Sequence, residues 1–166
     1  MNNHGQTVKD VTNFLFIKDG KVLLGMKKRG FGVNKFNGFG GKLKTGETIL
    51  EAALREAKEE AGLTPTVYEK YAIIDFSNSY PLRMHLFVAS AWEGQVVESE
   101  EMQPVWFNFE DIPYKEMWED DIYWLPYILS GKKIIASFTF ENDDDVDGTK
   151  ENHVVKHTIQ VVPKLD

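Results

Sequence analysis

The stretch from Gly41 to Leu63, GKLKTGETILEAALREAKEEAGL, constrains this chain more than any other feature of its sequence. Thr48 is followed three residues later by Glu51, a spacing that is typical of a capping box at the start of a helix. Gly62 suits the left-handed residue that often follows a helix. The sequence therefore predicts a helix from Ile49 to about Ala61.

The predicted helix places carboxylates beside an apolar stripe. At about 100° per residue, one face carries small or aliphatic side chains, namely Leu50, Ala53, Leu54, Ala57 and Ala61. Glu56, Glu59 and Glu60 fall on an arc of about 100° next to that stripe. Like charges at this spacing repel each other, so the cluster favours a bound cation, and its oxygen ligands suit Mg²⁺ or Mn²⁺. Taken alone, such a pattern is also typical of a solvated acidic helix face.

The same stretch resembles a known motif. Its matching positions are Gly41, Glu47, Arg55, Glu56, Glu59, Glu60, Gly62 and Leu63. Their residue types and spacing resemble the Nudix box, the signature of hydrolases that cleave nucleoside diphosphates linked to another moiety. Ala57 departs from the usual pattern, because the family carries a larger aliphatic side chain at that position.

Four further segments resemble one branch of the Nudix family, whose members hydrolyse oxidised purine nucleoside triphosphates. They are GMKKRGFG from Gly25, FNGFGGK from Phe36, ESEEMQPVWF from Glu98 and MWEDDIYWLP from Met117. The resemblance covers most of residues 12–140 and fades at 76–82 and at an acidic loop, 142–152. It implies Mg²⁺-dependent hydrolysis of 8-oxo-dGTP and 2-oxo-dATP to the monophosphate and pyrophosphate, with Mn²⁺ as a substitute ion.

The resemblance also implies roles for individual residues. The implied metal ligands are the Gly40 carbonyl, Glu56, Glu59, Glu60 and Glu101. Arg55 would orient a glutamate through a bidentate ion pair. The implied triphosphate contacts are Lys27, Gly40, Gly41 and Lys42. The implied base pocket consists of Asn37, Trp118, Asp120 and Asp121, with Thr12, Phe31, Phe39 and Glu119 around it.

Some of these assignments have simpler alternatives. Trp118 and Phe31 are also compatible with ordinary core packing, and Lys27 with a solvated strand residue. Glu98 and Glu100 stand close to Glu101, and the sequence does not choose among them as metal ligands.

Asp120 and Asp121 suggest how a base is read. Two adjacent carboxyls in an apolar pocket are driven by desolvation and mutual repulsion to share a proton. One can then accept hydrogen bonds while the other donates. The hypothesis is that a single pocket reads 8-oxo-guanine and 2-oxo-adenine by moving this proton.

Composition bounds the class of protein. The chain has 166 residues, 42% of them apolar, and no cysteine, so we expect a single domain over 1–166 without disulfides or thiolate chemistry. No apolar run reaches the length of a membrane span, and we expect a cytoplasmic monomer that does not bind membranes. The net charge is −7, although residues 18–44 carry eight basic side chains against one acid. Such a distribution is compatible with a simply solvated surface, but a basic segment that leads into a carboxylate helix also suits a metal-bridged polyanion. The overall acidity argues against duplex DNA, and we expect no nucleic-acid partner. The resemblance implies that the polyanion is a purine nucleoside triphosphate.

Periodicity predicts an α+β fold, an α/β/α sandwich around a mixed sheet. The predicted strands are Thr12–Ile17, Val22–Lys27, Val67–Phe76, Met84–Ala91, Val105–Phe109, Ile134–Phe140 and Val154–Val162. Besides the helix at 49–61, short helices are predicted at Ile112–Met117 and Tyr123–Leu129, and residues 29–41 are predicted to be loop. Two other functions stay open: a Nudix hydrolase of dinucleoside polyphosphates or nucleotide sugars, and a binding module without catalysis.

Overall fold

The computed structural model describes residues 7–77, 80–141 and 152–165. Within these ranges the chain forms eight strands and two α-helices. The strands are β1 Lys9–Lys18, β2 Lys21–Lys27, β3 Phe36–Asn37, β4 Thr64–Phe76, β5 Leu82–Glu93, β6 Met102–Asn108, β7 Lys133–Phe140 and β8 Val154–Val162. The helices are α1 Ile49–Ala61 and α2 Asp121–Leu129. All but the last residue of the predicted acidic loop lie outside the described residues.

The strands form one mixed sheet in the order β3-β2-β1-β5-β4-β7-β8, and β6 pairs with β2. The β1–β5 and β4–β7 pairs are parallel, and the other pairs are antiparallel. The turn between β1 and β2 is Asp19-Gly20, with positive φ at both residues, a conformation that an Asp-Gly pair tolerates well. No helix in the described ranges is long and apolar enough to cross a membrane.

Each face of the sheet is covered by one helix. Phe14 and Phe16 of β1 pack with Ala53 and Ala57 of α1. Leu15, between those two phenylalanines, packs instead with residues of α2. Because neighbouring residues of a strand point to opposite faces, α1 and α2 lie on opposite sides of the sheet. The predicted α/β/α arrangement is therefore confirmed.

The boundaries of α1 are as predicted, but its orientation is not. The Thr48 side chain caps the helix by accepting a hydrogen bond from the Glu51 amide at 3.1 Å, and Gly62 takes the left-handed conformation. The buried side chains are Ala52, Ala53, Ala57, Glu60 and Ala61, while Leu50 is exposed. The buried face is thus turned by about 50° from the predicted stripe, toward the glutamates. This rotation carries Glu60 into the protein.

Two other local predictions are wrong. The expected helix at Ile112–Met117 is replaced by two 3₁₀ turns, Phe109–Asp111 and Tyr114–Glu116. Pro113 lies between them, and its ring disfavours helical geometry at the preceding residue. The predicted loop at 29–41 contains the short strand β3, whose Asn37 pairs with Gly25 of β2. The predicted helix at Tyr123–Leu129 is present and begins two residues earlier, at Asp121.

Candidate functional site

A cavity of about 290 Å³ opens between α1, the segment before it and the turn before β6. Its walls carry one basic side chain, four carboxylates and two glycines: Lys27, Gly40, Gly41, Glu56, Glu59, Glu60 and Glu101. All seven are among the site residues expected from the sequence. The structure therefore brings together residues that are up to 74 positions apart, from 27 to 101.

Glu60 is the most deeply placed of these carboxyls, since only 5% of the residue is exposed. The Gly40 amide donates to its Oε1 at 2.8 Å. Burial, followed by the nearby charge of Glu56, raises the pKa of Glu60 to about 8. Without a cation, Glu60 is therefore mostly protonated at neutral pH.

Arg55 of α1 donates hydrogen bonds to three carboxylates. Its Nε and Nη2 donate to the two oxygens of Glu47 at 2.7 and 2.9 Å, which is a bidentate pair. Its Nη1 donates to Glu56 at 2.9 Å and to Glu59 at 3.2 Å. The hydrogen bonds from Arg55 hold the pKa of Glu47 well below its usual range. Arg55 thus fixes one oxygen of Glu56 and one oxygen of Glu59.

Glu101 reaches the cavity from the turn before β6, whereas Glu100 is largely exposed. The Glu101 carboxylate is held by Arg29, whose Nε and Nη2 both approach Oε1, at 2.7 and 2.6 Å. Hydrogen bonding from Arg29 lowers the pKa of Glu101. The sequence leaves open whether Glu100 or Glu101 is the metal ligand. The position of Glu101 on the cavity wall favours Glu101.

The glycines at 40 and 41 permit a close approach of the chain to β1 and α1. A Cβ on Gly40 would collide with the carbonyl oxygen of Thr12. A Cβ on Gly41 would lie 2.9 Å from Oε1 of Glu56. The Thr12 amide donates to the Gly41 carbonyl at 2.9 Å, which anchors the segment to β1. Lys42 is exposed, and its carbonyl accepts from Arg55 at 3.2 Å.

The donor set of the cavity fits a hard divalent cation. Carboxylate oxygens are its ligands of choice, and the unfavourable crowding of Glu56 and Glu60 is relieved by positive charge. Across the described ranges, no three His, Asp or Glu side chains form a ready-made metal cluster. Ion pairs with Arg55 and Arg29 hold Glu56, Glu59 and Glu101 in this structure.

Trp118 lies near the glycine-rich turn between β2 and β3. The Phe31 ring stacks on it with centroids 5.0 Å apart, and the Lys35 ammonium lies 5.1 Å from the Trp118 ring centre. Phe31 is 53% exposed. Trp118 is therefore at the surface of the core rather than inside it, and its partners are side chains that can move without disturbing the sheet.

Asp120 and Asp121 are both buried at the start of α2. The indole Nε1 of Trp124 donates to Asp120 Oδ2 at 2.7 Å, whereas Asp121 Oδ2 has no partner among the residues that the structure describes. Desolvation raises the pKa of Asp120 to about 6. Desolvation, followed by the charge of Asp120, raises the pKa of Asp121 well above its usual value. These are the conditions under which two carboxyls share a proton.

Three other expected base-pocket residues have different surroundings. Asn37 lies in β3 and is half-buried. Phe39 is fully buried and packs against Phe16 beneath α1, so its ring belongs to the core. The Glu119 carboxylate pairs with His153 at 2.6 Å and accepts from the Val154 amide at 3.0 Å. Glu119 therefore ties the Trp118 loop to β8 in this structure.

Two positioning residues escaped the sequence analysis. Glu47 was matched to the motif without a role, and Arg29 was counted only as part of a basic segment. Glu47 pairs with Arg55, eight positions away, and Arg29 pairs with Glu101, 72 positions away. Neither ion pair has a periodic signal in the sequence.

The chain is similar in sequence to known proteins. The family model of the NUDIX domain matches residues 7–128. An oxidized purine nucleoside triphosphate hydrolase of Danio rerio is 47% identical over 141 residues, which are 83% of this chain and 90% of that protein. The protein of the same name from Mus musculus is 43% identical over 138 residues, 81% of this chain and 88% of that protein.

A solved structure shows the same fold. The crystal structure of a MutT protein from Bacillus halodurans superposes with a TM-score of 0.76, covering 92% of this chain and 97% of that one. The two sequences are 24% identical, so this likeness concerns the fold alone.

Proposed function

Because this chain belongs to the NUDIX family, we propose that it is an enzyme that hydrolyses oxidised purine nucleoside triphosphates to the monophosphate and pyrophosphate. The observation that carries the proposal is the 47% identity to an oxidized purine nucleoside triphosphate hydrolase, which extends over 90% of that relative. The implied substrates are 8-oxo-dGTP and 2-oxo-dATP, and the implied role is sanitation of the nucleotide pool.

The cavity beside α1 is the proposed centre of hydrolysis. Glu56, Glu59, Glu60 and Glu101, with the Gly40 carbonyl, would hold a divalent ion, which we take to be Mg²⁺. When bound, such an ion lowers the pKa of a water molecule and offsets the charge of the phosphates.

The other cavity residues position these ligands and the substrate. Arg55 keeps Glu56 in one orientation through its hydrogen bond at 2.9 Å, while its own position is fixed by Glu47. Lys27 lies on the cavity wall, where its ammonium can neutralise a phosphate oxygen. Gly40 and Gly41 leave room for the triphosphate, since neither carries a side chain.

The base is proposed to bind on the α2 side. Trp118 offers a flat apolar surface for stacking, and Phe31 either turns away or remains as a second layer. Asp120, Asp121 and Asn37 supply hydrogen-bonding groups of both kinds, because burial raises the pKa of both carboxyls, and a protonated carboxyl donates while an ionised one accepts. Phe39 contributes core packing, and Glu119 holds the Trp118 loop.

The domain organisation, the localisation, the oligomeric state and the absence of other partners are also proposed. We propose that residues 1–166 form a single domain that acts as a cytoplasmic monomer and that binds neither nucleic acid nor membranes. Size-exclusion chromatography with light scattering tests the monomer.

A nucleotide panel tests the function. The purified protein is incubated with Mg²⁺ and 8-oxo-dGTP, 2-oxo-dATP, dGTP, dATP, a dinucleoside polyphosphate or a nucleotide sugar, and monophosphate and pyrophosphate are quantified. We expect the oxidised purines to have the highest kcat/KM. Faster turnover of the dinucleotide or the sugar would assign the chain to another substrate, and binding without turnover would make it a non-catalytic module.

A further inference from the structure

Three buried side-chain atoms lack a hydrogen-bond partner among the described residues: Asn13 Oδ1, His85 Nδ1 and Asp121 Oδ2. A buried polar atom without a partner lowers stability, and each such case in a folded protein calls for a physical reason. His85 is partly accounted for, since its other ring nitrogen lies 2.8 Å from Asp10. Asn13 and Asp121 remain, and the proposed function gives a role to only one of them.

Asn13 lies on the same side of the sheet as α2. On β1, the next residue with that orientation is Leu15, which packs in the core beneath α2. The Asn13 Nδ2 donates to the sulfur of Met84 at 3.5 Å, and Met84 packs against the same core. A Cβ on Gly38 would collide with Asn13 Oδ1, so the amide lies directly beside the residue that follows Asn37. Asn13 is thus part of the α2-side floor next to the proposed base pocket.

The Met84 sulfur is a weak hydrogen-bond acceptor. An amide that is held only by this contact can turn about χ2 when a better partner arrives. A leucine of similar volume would fill the same space without an unpaired oxygen, so folding alone does not favour asparagine here.

The carboxyls proposed to bind the base do not explain how the protein distinguishes 8-oxo-guanine from guanine. Guanine and 8-oxo-guanine present the same N1–H, N2–H and O6 groups, so Asp120, Asp121 and Asn37 cannot separate them through that edge. Oxidation changes the other edge of the base. It converts N7 from an acceptor into an N–H donor and adds O8 as an acceptor. An asparagine amide carries one acceptor and one donor in a plane, which matches the N7–H and O8 pair.

We infer that Asn13 distinguishes 8-oxo-guanine from guanine, with Oδ1 accepting from N7–H and Nδ2 donating to O8. The inference rests on the proposed function, which it deepens by naming the residue that recognises the oxidised edge. Unoxidised guanine has an acceptor at N7 and lacks O8, so it cannot form this pair of hydrogen bonds. Asn13 therefore favours the oxidised base.

The test is a comparison of wild-type protein, Asn13→Leu and Asn13→Asp on 8-oxo-dGTP, dGTP and 2-oxo-dATP. For Asn13→Leu we expect KM for 8-oxo-dGTP to rise roughly fivefold to tenfold, the loss of one or two hydrogen bonds, with kcat nearly unchanged. Turnover of dGTP and 2-oxo-dATP, whose N7 is not protonated, should change less than twofold by this reasoning. Asn13→Asp keeps the acceptor but loses the donor, so its KM should lie between the two.

Thermal melting of the nucleotide-free protein separates recognition from structure. The Tm of Asn13→Leu should equal or exceed that of the wild type, because the unpaired oxygen is removed. Thr158→Val is the matched control, since its hydroxyl pairs with Ser137 at an exposed strand position away from the cavity. This variant should leave every KM unchanged.

Two results overturn the inference by itself. The first is that the wild-type protein hydrolyses 8-oxo-dGTP and that Asn13→Leu has the same KM for this nucleotide. The other is a parallel loss of activity on all three nucleotides with a lower Tm, which indicates a structural role. If the wild type neither binds nor hydrolyses oxidised nucleotides, the proposed function fails first and the inference fails with it.

Discussion

Replacement of Glu60 by glutamine should stabilise the metal-free protein and abolish its activity. The folded state raises the pKa of this carboxyl from 4.5 to about 8, chiefly through burial. Glutamine has nearly the same shape, and its carbonyl can still accept from the Gly40 amide. The variant therefore loses the unfavourable charge of Glu60 while it keeps the hydrogen bond.

The size of the effect follows from linkage. Between pH 4.5 and 8 the folded protein holds the Glu60 proton more tightly than the unfolded chain does, so the free energy of unfolding falls as pH rises. One pKa unit corresponds to about 1.4 kcal/mol, which gives a loss of about 3 kcal/mol by pH 7 and about 5 kcal/mol well above pH 8. Glu60→Gln lacks this term and should show a correspondingly flatter pH dependence.

Urea denaturation in EDTA from pH 5 to 9 measures this difference. The two proteins should be equally stable near pH 5 and diverge above it, with the variant more stable. Glu51→Gln is the control, since Glu51 is exposed on the same helix and should retain the wild-type slope. Addition of Mg²⁺ should raise the Tm of the wild type and of the control but not of Glu60→Gln. Parallel pH curves for wild type and Glu60→Gln would refute the reasoning.

Three further predictions concern binding. Trp118→Ala should weaken nucleotide binding by about 1 to 3 kcal/mol, seen as a higher KM at unchanged Tm, whereas a lower Tm at unchanged KM would indicate a core role. Arg29→Gln should weaken Mn²⁺ binding, measured by electron paramagnetic resonance, severalfold more than Lys28→Gln, which removes the same charge without releasing Glu101; equal effects would exclude positioning by Arg29. Asp120→Asn and Asp121→Asn should shift the 8-oxo-dGTP to 2-oxo-dATP activity ratio unequally, and an equal loss on both substrates would contradict a proton switch.

Local sequence signals predict the elements of the fold well where a side chain or a glycine controls the backbone. Thr48 and Gly62 define both ends of α1, and Asp19-Gly20 defines the first hairpin. The prediction fails where tertiary packing decides. The apolar stripe of α1 was assigned from Leu50, yet the sheet buries Ala52 instead and turns Glu60 inward.

The composition of the cavity is predictable for a similar reason. The box residues share one short segment, so their spacing alone places Glu56, Glu59 and Glu60 on one side of a helix. Contacts between segments that are distant in sequence produce no such spacing pattern. The pairing of Arg29 with Glu101 spans 72 positions. The burial of Phe39 also depends on Phe16, from another strand, and not on its neighbours in the glycine-rich segment.

The segment from β3 to Gly41 links the two halves of the proposed site. Asn37 pairs with Gly25 of β2, while the amide and carbonyl of Phe39 both bond to Phe14 of β1, at 3.0 and 2.7 Å. The segment thus lies between two strands of the sheet, with Gly38 against the α2-side floor and Gly41 against α1. A side chain at Gly38 would displace the amide of Asn13, and one at Gly41 would displace Glu56. In the proposed function, base recognition and phosphate hydrolysis would therefore depend on the same six residues, and a shift of this backbone should impair both at once.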